Sequence, residues 1–226
     1  MNTNSKQITF LQRGSNVFSL FTRKDHIDIS KVFLVFIDRC CGEDFRFPRI
    51  SRIVSIDQYR GARSAVQHLV ELGHTRIVHV AGPISAPDSA ERIRGWRDEL
   101  AQNGLPMVDP IHGNWTAEGG YRVGLELDVE PGSAIFTSND LSAMGLLSAL
   151  RERGLRVPED VSVVGFDDVP EAGYLFPPLT TVRQDFAALG RQMMQKVLVS
   201  LEEHEDDNVE TPLPTELIVR SSTQQR

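Results

Sequence analysis

The sequence contains little cysteine, and its placement excludes a structural role for it. Of the 226 residues only Cys40 and Cys41 are cysteines, and they are adjacent. Adjacent cysteines provide neither a disulfide framework nor the spacing of a metal site, so we expect a reduced pair in a reducing compartment. The sequence therefore predicts no metal and no other cofactor.

Long apolar runs and an excess of positive charge are also missing. The opening residues MNTNSKQITF lack the apolar core of a signal peptide, and no later run is long enough to cross a bilayer. If Met1 is the true start, this predicts a cytoplasmic chain without membrane contact. The net charge of −7 argues against this chain holding the phosphate backbone of DNA by itself.

The familiar catalytic motifs are absent as well. The sequence contains no G-x-S-x-G elbow, P-loop, H-E-x-x-H or G-x-G-x-x-G phosphate loop. The adjacent carboxylates of Asp167 and Asp168 could in principle hold a metal, but no further carboxylates visibly converge on them. The pattern favours a protein that is not an enzyme, and turnover of a sugar or phosphate would revive the alternative.

A strand–helix–strand pattern over residues 134–168 organises the chain. Apolar runs occupy residues 134–137 and 161–166, and between them lies a segment that Gly154 can end. The apolar residues that repeat there at helical spacing are Ala143, Leu146, Leu147 and Leu150. Such crossovers join parallel strands buried on both faces, so the fold class is predicted to be α/β.

Polar residues follow both strands, at the edge where ligands bind in open α/β sheets. Asn139 follows the first apolar run and Asp167 follows the second. Asn139 can cap the helix, contact a ligand, or do both. Asp167 has no structural duty that the sequence reveals, whereas Asp168 more readily caps or braces the following loop. We expect Asn139 and Asp167 to face one crevice.

Helices and turns are legible through most of the chain. A helical face begins at Ala62 and stops at Gly73, and a strand over residues 53–56 precedes it. Ser89 is predicted to cap a helix that stops at Gly104, and Thr116 to cap one carrying Tyr121 and Leu125. Asp185 is predicted to cap a further helix, whose Phe186 could be ligand wall or, as we favour, core.

The first residues are less regular. Residues 1–31 read as an irregular segment in which the runs 8–11 and 17–21 could be short strands. The run VFLVFI at 32–37 is typical of a buried strand, and Asp38 follows it.

Several segments together resemble the LacI/GalR family of bacterial transcriptional regulators. They are RGARSAVQHLVELGHTRIVHVAGP, SAERIRGW, SNDLSAMGLLSALRERGLRVPEDVSVVGFDD and PPLTTVRQDFAALG. The resemblance covers roughly residues 32–223. It implies a periplasmic-binding-protein-like fold with two flavodoxin-like lobes built on parallel sheets and a ligand clamped between them.

In that frame the chain divides into three parts. Residues 61–184 and 214–226 form the C-terminal effector-binding lobe, and residues 32–60 and 185–213 are a remnant of the N-terminal lobe. Residues 1–31 stand outside both. The family's helix-turn-helix headpiece and the first units of its N-terminal lobe are not recognisable, so we expect an incomplete lobe and DNA contact only through a headpiece missing from this chain.

The resemblance also suggests binding residues. Arg92 lies where the family has a ligand-contacting arginine, although its position alone suggests a surface charge like Arg94. Trp115 lies where the family has an aromatic ligand wall, although a single tryptophan is more often a core residue. Gln184 lies where the chain crosses between lobes, and Asp38 would close the cleft from the other lobe.

The expected function is binding coupled to a conformational change. A sugar is the favoured effector and a purine the less favoured one, with a homodimer as the expected assembly. Ligand contacts from both lobes would favour a closed cleft and change how paired headpieces meet operator DNA. The alternative is a periplasmic-type sugar-binding protein of a transporter, which shares the fold but needs a secretion signal.

Overall fold

A computed structural model describes residues 6–13, 16–22, 54–130, 132–201 and 211–226. These residues belong to two compact units, one within residues 1–50 and one within residues 51–226. In the first unit, strands β1 (Lys6–Arg13) and β2 (Asn16–Thr22) pair as an antiparallel hairpin with an irregular register between Phe10 and Gln12. Part of the stretch expected to be irregular is therefore a hairpin.

The second unit is built on one six-stranded sheet in the order β4-β3-β5-β6-β7-β8. The strands are β3 (Ile77–Ala81), β4 (Ile111–His112), β5 (Ala134–Thr137), β6 (Ser162–Asp167), β7 (Thr180–Gln184) and β8 (Thr215–Ile218). Strands β3, β4, β5, β6 and β7 run parallel to one another. In this sheet only β8 is antiparallel to its neighbour, which is β7. The α/β class and the strand–helix–strand unit over residues 134–168 are confirmed.

Helices connect the strands and cover both faces of the sheet. They are α1 (Gln58–Glu71), α2 (Pro87–Gln102), α3 (Ala117–Glu126), α4 (Asp140–Glu152) and α5 (Phe186–Leu201), with a 3-10 turn at Pro170–Tyr174. One core cluster joins α1 and α2 to Phe136 and Phe166 of the sheet. The other joins α4 to Val78 and Ile135, because successive strand residues point to opposite faces.

Helix α1 begins earlier than its apolar face indicates. The side chain of Asp57 accepts a 2.9 Å hydrogen bond from the backbone of Arg60, so the helix starts at Gln58, ahead of the apolar face that begins at Ala62. In the described part of the strand predicted over residues 53–56, Ile56 forms an isolated bridge with Leu213. Residue 53 lies outside the described residues. The apolar face therefore does not reveal the first turn of the helix, which the Asp57 cap begins.

The predicted helix caps have different outcomes. Thr116 caps α3, because its Oγ1 accepts a 3.0 Å hydrogen bond from Gly119, and Asp185 caps α5 by accepting one at 2.7 Å from Ala188. The prediction for Ser89 is wrong: α2 begins at Pro87, whose fixed φ suits a first helical position, and Ser89 lies buried inside the helix.

The predicted placement of Phe186 in the core is also corrected. Phe186 is 44% exposed and does not belong to the core, whereas Leu189 in the next turn is buried. Helix α3 buries Gly120 and Gly124, while Leu125 is 41% exposed. The glycines let α3 approach α4 so closely that a Cβ on Gly120 would overlap the carbonyl oxygen of Ser142.

Some expectations remain predictions. The strand over 32–37, Asp38 and most of the proposed N-terminal lobe lie outside the described residues, so the division into two lobes is untested. Among the residues that the structure describes, no helix is both long and apolar enough to cross a membrane.

Candidate functional site

The carboxyl ends of three adjacent strands meet at one edge of the sheet. Strand β5 ends at Thr137, β6 at Asp167 and β7 at Gln184, and the three strands pair in parallel. Asn139 follows β5 after a single residue. The edge therefore carries a carboxylate, two amides and the start of helix α4. The strand–helix–strand pattern predicts Asn139 and Asp167 here, and the family resemblance adds Gln184.

Helix α2 brings Arg92 to this edge. The Nη2 atom lies 3.8 Å from Oδ1 of Asp167, and the side chain is only 5% exposed. The Nη1 atom donates to the carbonyl oxygen of Ser138, and the guanidinium carbon lies 3.9 Å from the centre of the Phe166 ring. Arg92 is thus a buried cation held against an aromatic face, not a surface charge like Arg94.

Two glutamines connect Arg92 with Asp167 by a second route. Arg92 Nε donates to Gln58 Oε1 at 2.9 Å, and Gln58 Nε2 donates to Gln184 Oε1 at 2.8 Å. Gln184 Nε2 then donates to Asp167 Oδ1 at 2.6 Å. These three hydrogen bonds form a directed chain, called here the amide relay, which starts at the cation and ends at the anion.

Burial controls the electrostatics of the pair. It raises the pKa of Asp167 to about 6, although the charge of Arg92 and the hydrogen bond from Gln184 act in the opposite direction. Burial likewise lowers the pKa of Arg92 from its ordinary value, against the attraction of Asp167. Asp167 is 22% exposed at its side chain, so its carboxylate is the more accessible partner.

Asn139 and Trp115 form the neighbouring part of the edge. Asn139 Oδ1 accepts a 3.0 Å hydrogen bond from Ser142, which caps α4, and its Nδ2 donates at 3.0 Å to the carbonyl oxygen of Trp115. Both polar atoms of the Asn139 amide are thus engaged with the protein. The capping role of Asn139 is confirmed, and its contact with a ligand stays a prediction.

The indole of Trp115 lies directly on Gly82, just after β3. A Cβ at Gly82 would overlap the indole, so glycine is required for this close approach. Within the described part of the chain, the buried Nε1 of Trp115 has no hydrogen-bond partner. The ring of Trp115 is half-buried, whereas Trp96 belongs to the core. The role of Trp115 as a ligand wall stays a prediction.

Backbone strain concentrates at this edge. The non-glycine residues with positive φ among those described are Trp115 at 63°, Asp167 at 114° and Asp168 at 55°. Such conformations cost on the order of 1–3 kcal/mol each and persist where the surrounding structure enforces them, often at binding sites. Two of these residues are ones that we predict to contact a ligand.

Asp168 has the bracing role expected of it. Its carboxylate pairs with Arg183 at 2.7 Å and with Arg220 at 2.6 Å. These contacts tie the loop after β6 to β7 and to the chain that follows β8. The neighbouring carboxylate of Asp167 is thereby the one left at the edge.

Sequence reasoning missed three residues of the site. Gln58 lies at the first position of α1, Ser138 supplies a carbonyl oxygen, and Phe166 supplies the face under Arg92. The only available signal was the position of Gln58 directly after the cap residue Asp57. Asp38 lies outside the described residues, so its role stays a prediction.

A metal site is not visible in the part of the chain that the structure describes, where no group of three or more histidine, cysteine, aspartate or glutamate side chains converges. His79, for example, is buried with its ring stacked on Phe136 at 4.5 Å. Burial lowers the pKa of His79 to about 3, so the ring is neutral and packs as a core residue. The edge therefore offers hydrogen bonds and one ion pair.

A mostly parallel sheet covered on both faces, with polar and strained residues at its carboxyl edge, defines a ligand-binding α/β domain. The chain belongs to the family of periplasmic binding protein-like domains, whose model matches residues 66–223. Its relatives are LacI-family transcriptional regulators.

Three of these relatives show the extent of the similarity. The chain is 36% identical to the lactose operon repressor of Escherichia coli K12 over 166 residues, which cover 72% of this chain and 46% of the repressor. It matches a LacI family transcriptional regulator from Enterococcus faecium with bound ribose at a TM-score of 0.71 and 31% identity, covering 79% of this chain and 68% of that one. It matches a dimeric Lac repressor at a TM-score of 0.69 and 34% identity, covering 75% of this chain and 63% of that one.

The chain spans about half the length of the curated relatives that it matches, from 46% of the lactose operon repressor to 52% of the regulator DegA from Bacillus subtilis.

Proposed function

We propose that this chain is the effector-sensing part of a LacI/GalR-type transcriptional regulator and that its effector is a small polyhydroxylated molecule, most plausibly a sugar. The observation that carries this proposal is the buried pair of Arg92 and Asp167, 3.8 Å apart at the carboxyl edge of the sheet. A guanidinium donates and a carboxylate accepts, which suits neighbouring hydroxyl groups.

The other residues of the edge complete such a site. Trp115 offers an aromatic surface to the apolar face of a sugar or to the plane of a purine. Gln184 and Asn139 lie beside it, and we propose that Asp38 approaches the ligand from a second lobe. The structure of the E. faecium regulator with ribose supports a sugar over a purine.

Regulation would follow from closure around the effector. A ligand held by groups from two lobes favours the closed state, and coupling of this kind is typically worth about 1–3 kcal/mol. We propose that the protein works as a homodimer in the cytoplasm. The similarity to a dimeric Lac repressor supports the homodimer. With a net charge of −7, we expect DNA contact through a headpiece of the family rather than through these residues.

Regulators among the relatives support this function over a transporter's binding protein or an enzyme. In our proposal the effector is bound and released unchanged. An assay that finds the purified chain consuming a sugar would contradict this part.

The test is a thermal-shift screen with free sugars and purines, followed by variants of the pair. Arg92→Met and Asp167→Asn should abolish the ligand-induced rise in Tm. Arg94→Met is the matched control, because Arg94 lies on the same helix and pairs at the surface with Glu91. Undiminished stabilisation in both site variants would refute the site, and a wild-type protein that no sugar or purine stabilises would refute the function.

A further inference from the structure

The fork that Nε and Nη2 of Arg92 could offer to an anion is not free. Arginine binds a carboxylate or phosphate strongly through two parallel N–H bonds from one edge, either Nε with Nη2 or Nη1 with Nη2. Nε of Arg92 already donates to Gln58 at 2.9 Å, and Nη1 donates to the carbonyl oxygen of Ser138. The single proton on Nε is therefore used, Nη1 uses one of its two protons on Ser138, and Nη2 faces Asp167.

Gln58 is locked in the orientation that closes the first of these edges. Its Nε2 donates to Gln184 Oε1 at 2.8 Å, so its Oε1 must face Arg92. Gln184 is locked in turn, because its Nε2 donates to Asp167 at 2.6 Å. Gln58 is 8% exposed and Gln184 is 7% exposed, so water cannot readily replace either amide.

The local charges also oppose an anion. The side chain of Asp167 is the more exposed member of the ion pair, and the carboxylate of Asp88 lies near enough to act on Arg92. A phosphate or carboxylate entering here meets a cation that is already compensated and buried. Burying a further charge without a dedicated partner is unfavourable, because the charge loses its hydration and gains no compensating ion pair.

An uncharged hydroxyl group has a better fit. It can accept from Nη2 of Arg92 and donate to Oδ2 of Asp167, to which none of the described residues donates a hydrogen bond. These two hydrogen bonds leave the amide relay intact and bury no new charge.

We propose, building on the function proposed above, that Gln58 is the specificity-determining residue of this site. By holding Nε of Arg92 it makes the site select uncharged, hydroxyl-bearing effectors and reject those with a phosphate or carboxylate at this position. Gln58 acts through Arg92 and Gln184 and is therefore a positioning residue.

The first test compares ligand classes on the wild-type protein. Free D-ribose, D-glucose and D-galactose are titrated beside D-ribose 5-phosphate, D-glucose 6-phosphate and D-galacturonate by calorimetry, at neutral pH and constant ionic strength. We expect binding only among the free sugars. Tighter binding of a charged counterpart would overturn the selectivity while leaving the effector-binding function in place.

The second test opens the fork and uses inorganic phosphate as the probe. Gln58→Met preserves the length of the side chain but removes the acceptor for Nε, and it should raise phosphate affinity about tenfold through a restored two-bond contact. Adding Arg92→Met to this variant should remove the gain. Gln58→Glu keeps an acceptor on Nε and should bind phosphate no better than the wild type.

Gln67→Met is the matched control, because Gln67 lies on the same helix and bonds only to Glu71 at the surface. The Nε–H resonance of Arg92 gives an independent readout: its proton should exchange slowly in the wild type and rapidly in Gln58→Met. A folded Gln58→Met variant with unchanged phosphate affinity would overturn the role of Gln58.

The wild-type comparison decides the selectivity even where Gln58→Met does not fold. If neither free nor charged sugars bind the wild type, the proposed function fails and the selectivity fails with it.

Discussion

The hydroxyl of Thr181 donates a 2.6 Å hydrogen bond to Oδ1 of Asp140, and this contact joins the first turn of α4 to β7. The backbone N–H of Val169 donates to Oδ2 of the same carboxylate at 2.9 Å. Gly165 provides the space, because a Cβ there would overlap Asp140 Oδ1. One fully buried carboxylate therefore holds together three segments that form the binding edge.

We predict that Asp140 makes the protein less stable as the pH rises towards neutrality. Burial, opposed by the two hydrogen bonds, raises the pKa of Asp140 from 3.8 to about 7. Over that interval the folded state holds a proton that the unfolded chain has released, so the free energy of unfolding falls with rising pH. Urea unfolding from pH about 4 to about 7 should show this fall in the wild type relative to Asp140→Asn.

Thr181→Val tests the same prediction through the pKa of Asp140. It removes a donor that favours the charged carboxylate, so the pKa should rise further and the fall should extend to higher pH. Parallel stability curves for the wild type and Asp140→Asn would contradict the assignment.

We predict the opposite pH dependence for Asp168. Partial burial acts to raise its pKa, but the hydrogen bonds and charges of Arg220 and Arg183 outweigh burial and hold the pKa below its ordinary value. The stabilisation is therefore present above the ordinary pKa and is lost as the pH falls through the lowered one. Asp168→Asn should lose about 1–3 kcal/mol at neutral pH, measured by urea unfolding.

The difference between wild type and Asp168→Asn should vanish in acid. Asp160→Asn is the control, since Asp160 pairs with Arg156 on the surface and should have a much smaller effect. An Asp168→Asn variant as stable as the wild type at neutral pH would argue against the brace.

The close packing of α3 on α4 gives a prediction about stability. A Cβ on Gly120 would overlap the carbonyl oxygen of Ser142, and one on Gly145 would overlap that of Ala117. Because both obstacles are backbone, the helices must move apart, and Gly120→Ala and Gly145→Ala should each cost about 1–3 kcal/mol in the free energy of unfolding.

Gly190→Ala is the matched control for these variants. A Cβ at Gly190 would meet nothing within 4 Å, and the residue lies inside helix α5. Helix propensity predicts a gain of up to about 1 kcal/mol there. If denaturant titrations gave the same change in the free energy of unfolding for all three variants, the close approach of α3 to α4 would not be the cause.

Gly82→Ala should displace the indole of Trp115 and weaken effector binding. The new Cβ would occupy the position of the indole, while the core indole of Trp96 is untouched. Loss of an aromatic contact predicts an affinity lower by about threefold to tenfold. The emission spectrum should change at the same time, and Trp115→Phe should remove that change. Unaltered emission in Gly82→Ala would contradict the contact.

Much of the fold was predictable because its signals are local. Residues 134–137 and the helical repeat of Ala143, Leu146 and Leu150 report burial directly, and the crossover then places Asn139 and Asp167 at one edge. Thr116 and Asp185 are caps because a short polar side chain satisfies backbone N–H groups within the same turn. For Arg92 periodicity was insufficient, and only the family resemblance pointed to the site.

The errors arose where a local signal competed with packing. Ser89 has the chemistry of a cap, but Pro87 starts the helix first. Phe186 has the apolar character of a core residue, yet it is 44% exposed, and Leu189 in the next turn is the buried residue.

By itself the sequence determined which segments are strands and helices and at which edge the polar residues gather, since hydrophobic period and strand direction depend on neighbours along the chain. Only the tertiary structure decided that Gln58 would orient Arg92 and meet Gln184, a residue 126 positions away. No period connects such residues. Their partnership exists because packed helices and strands bring their amides within hydrogen-bonding distance, away from water.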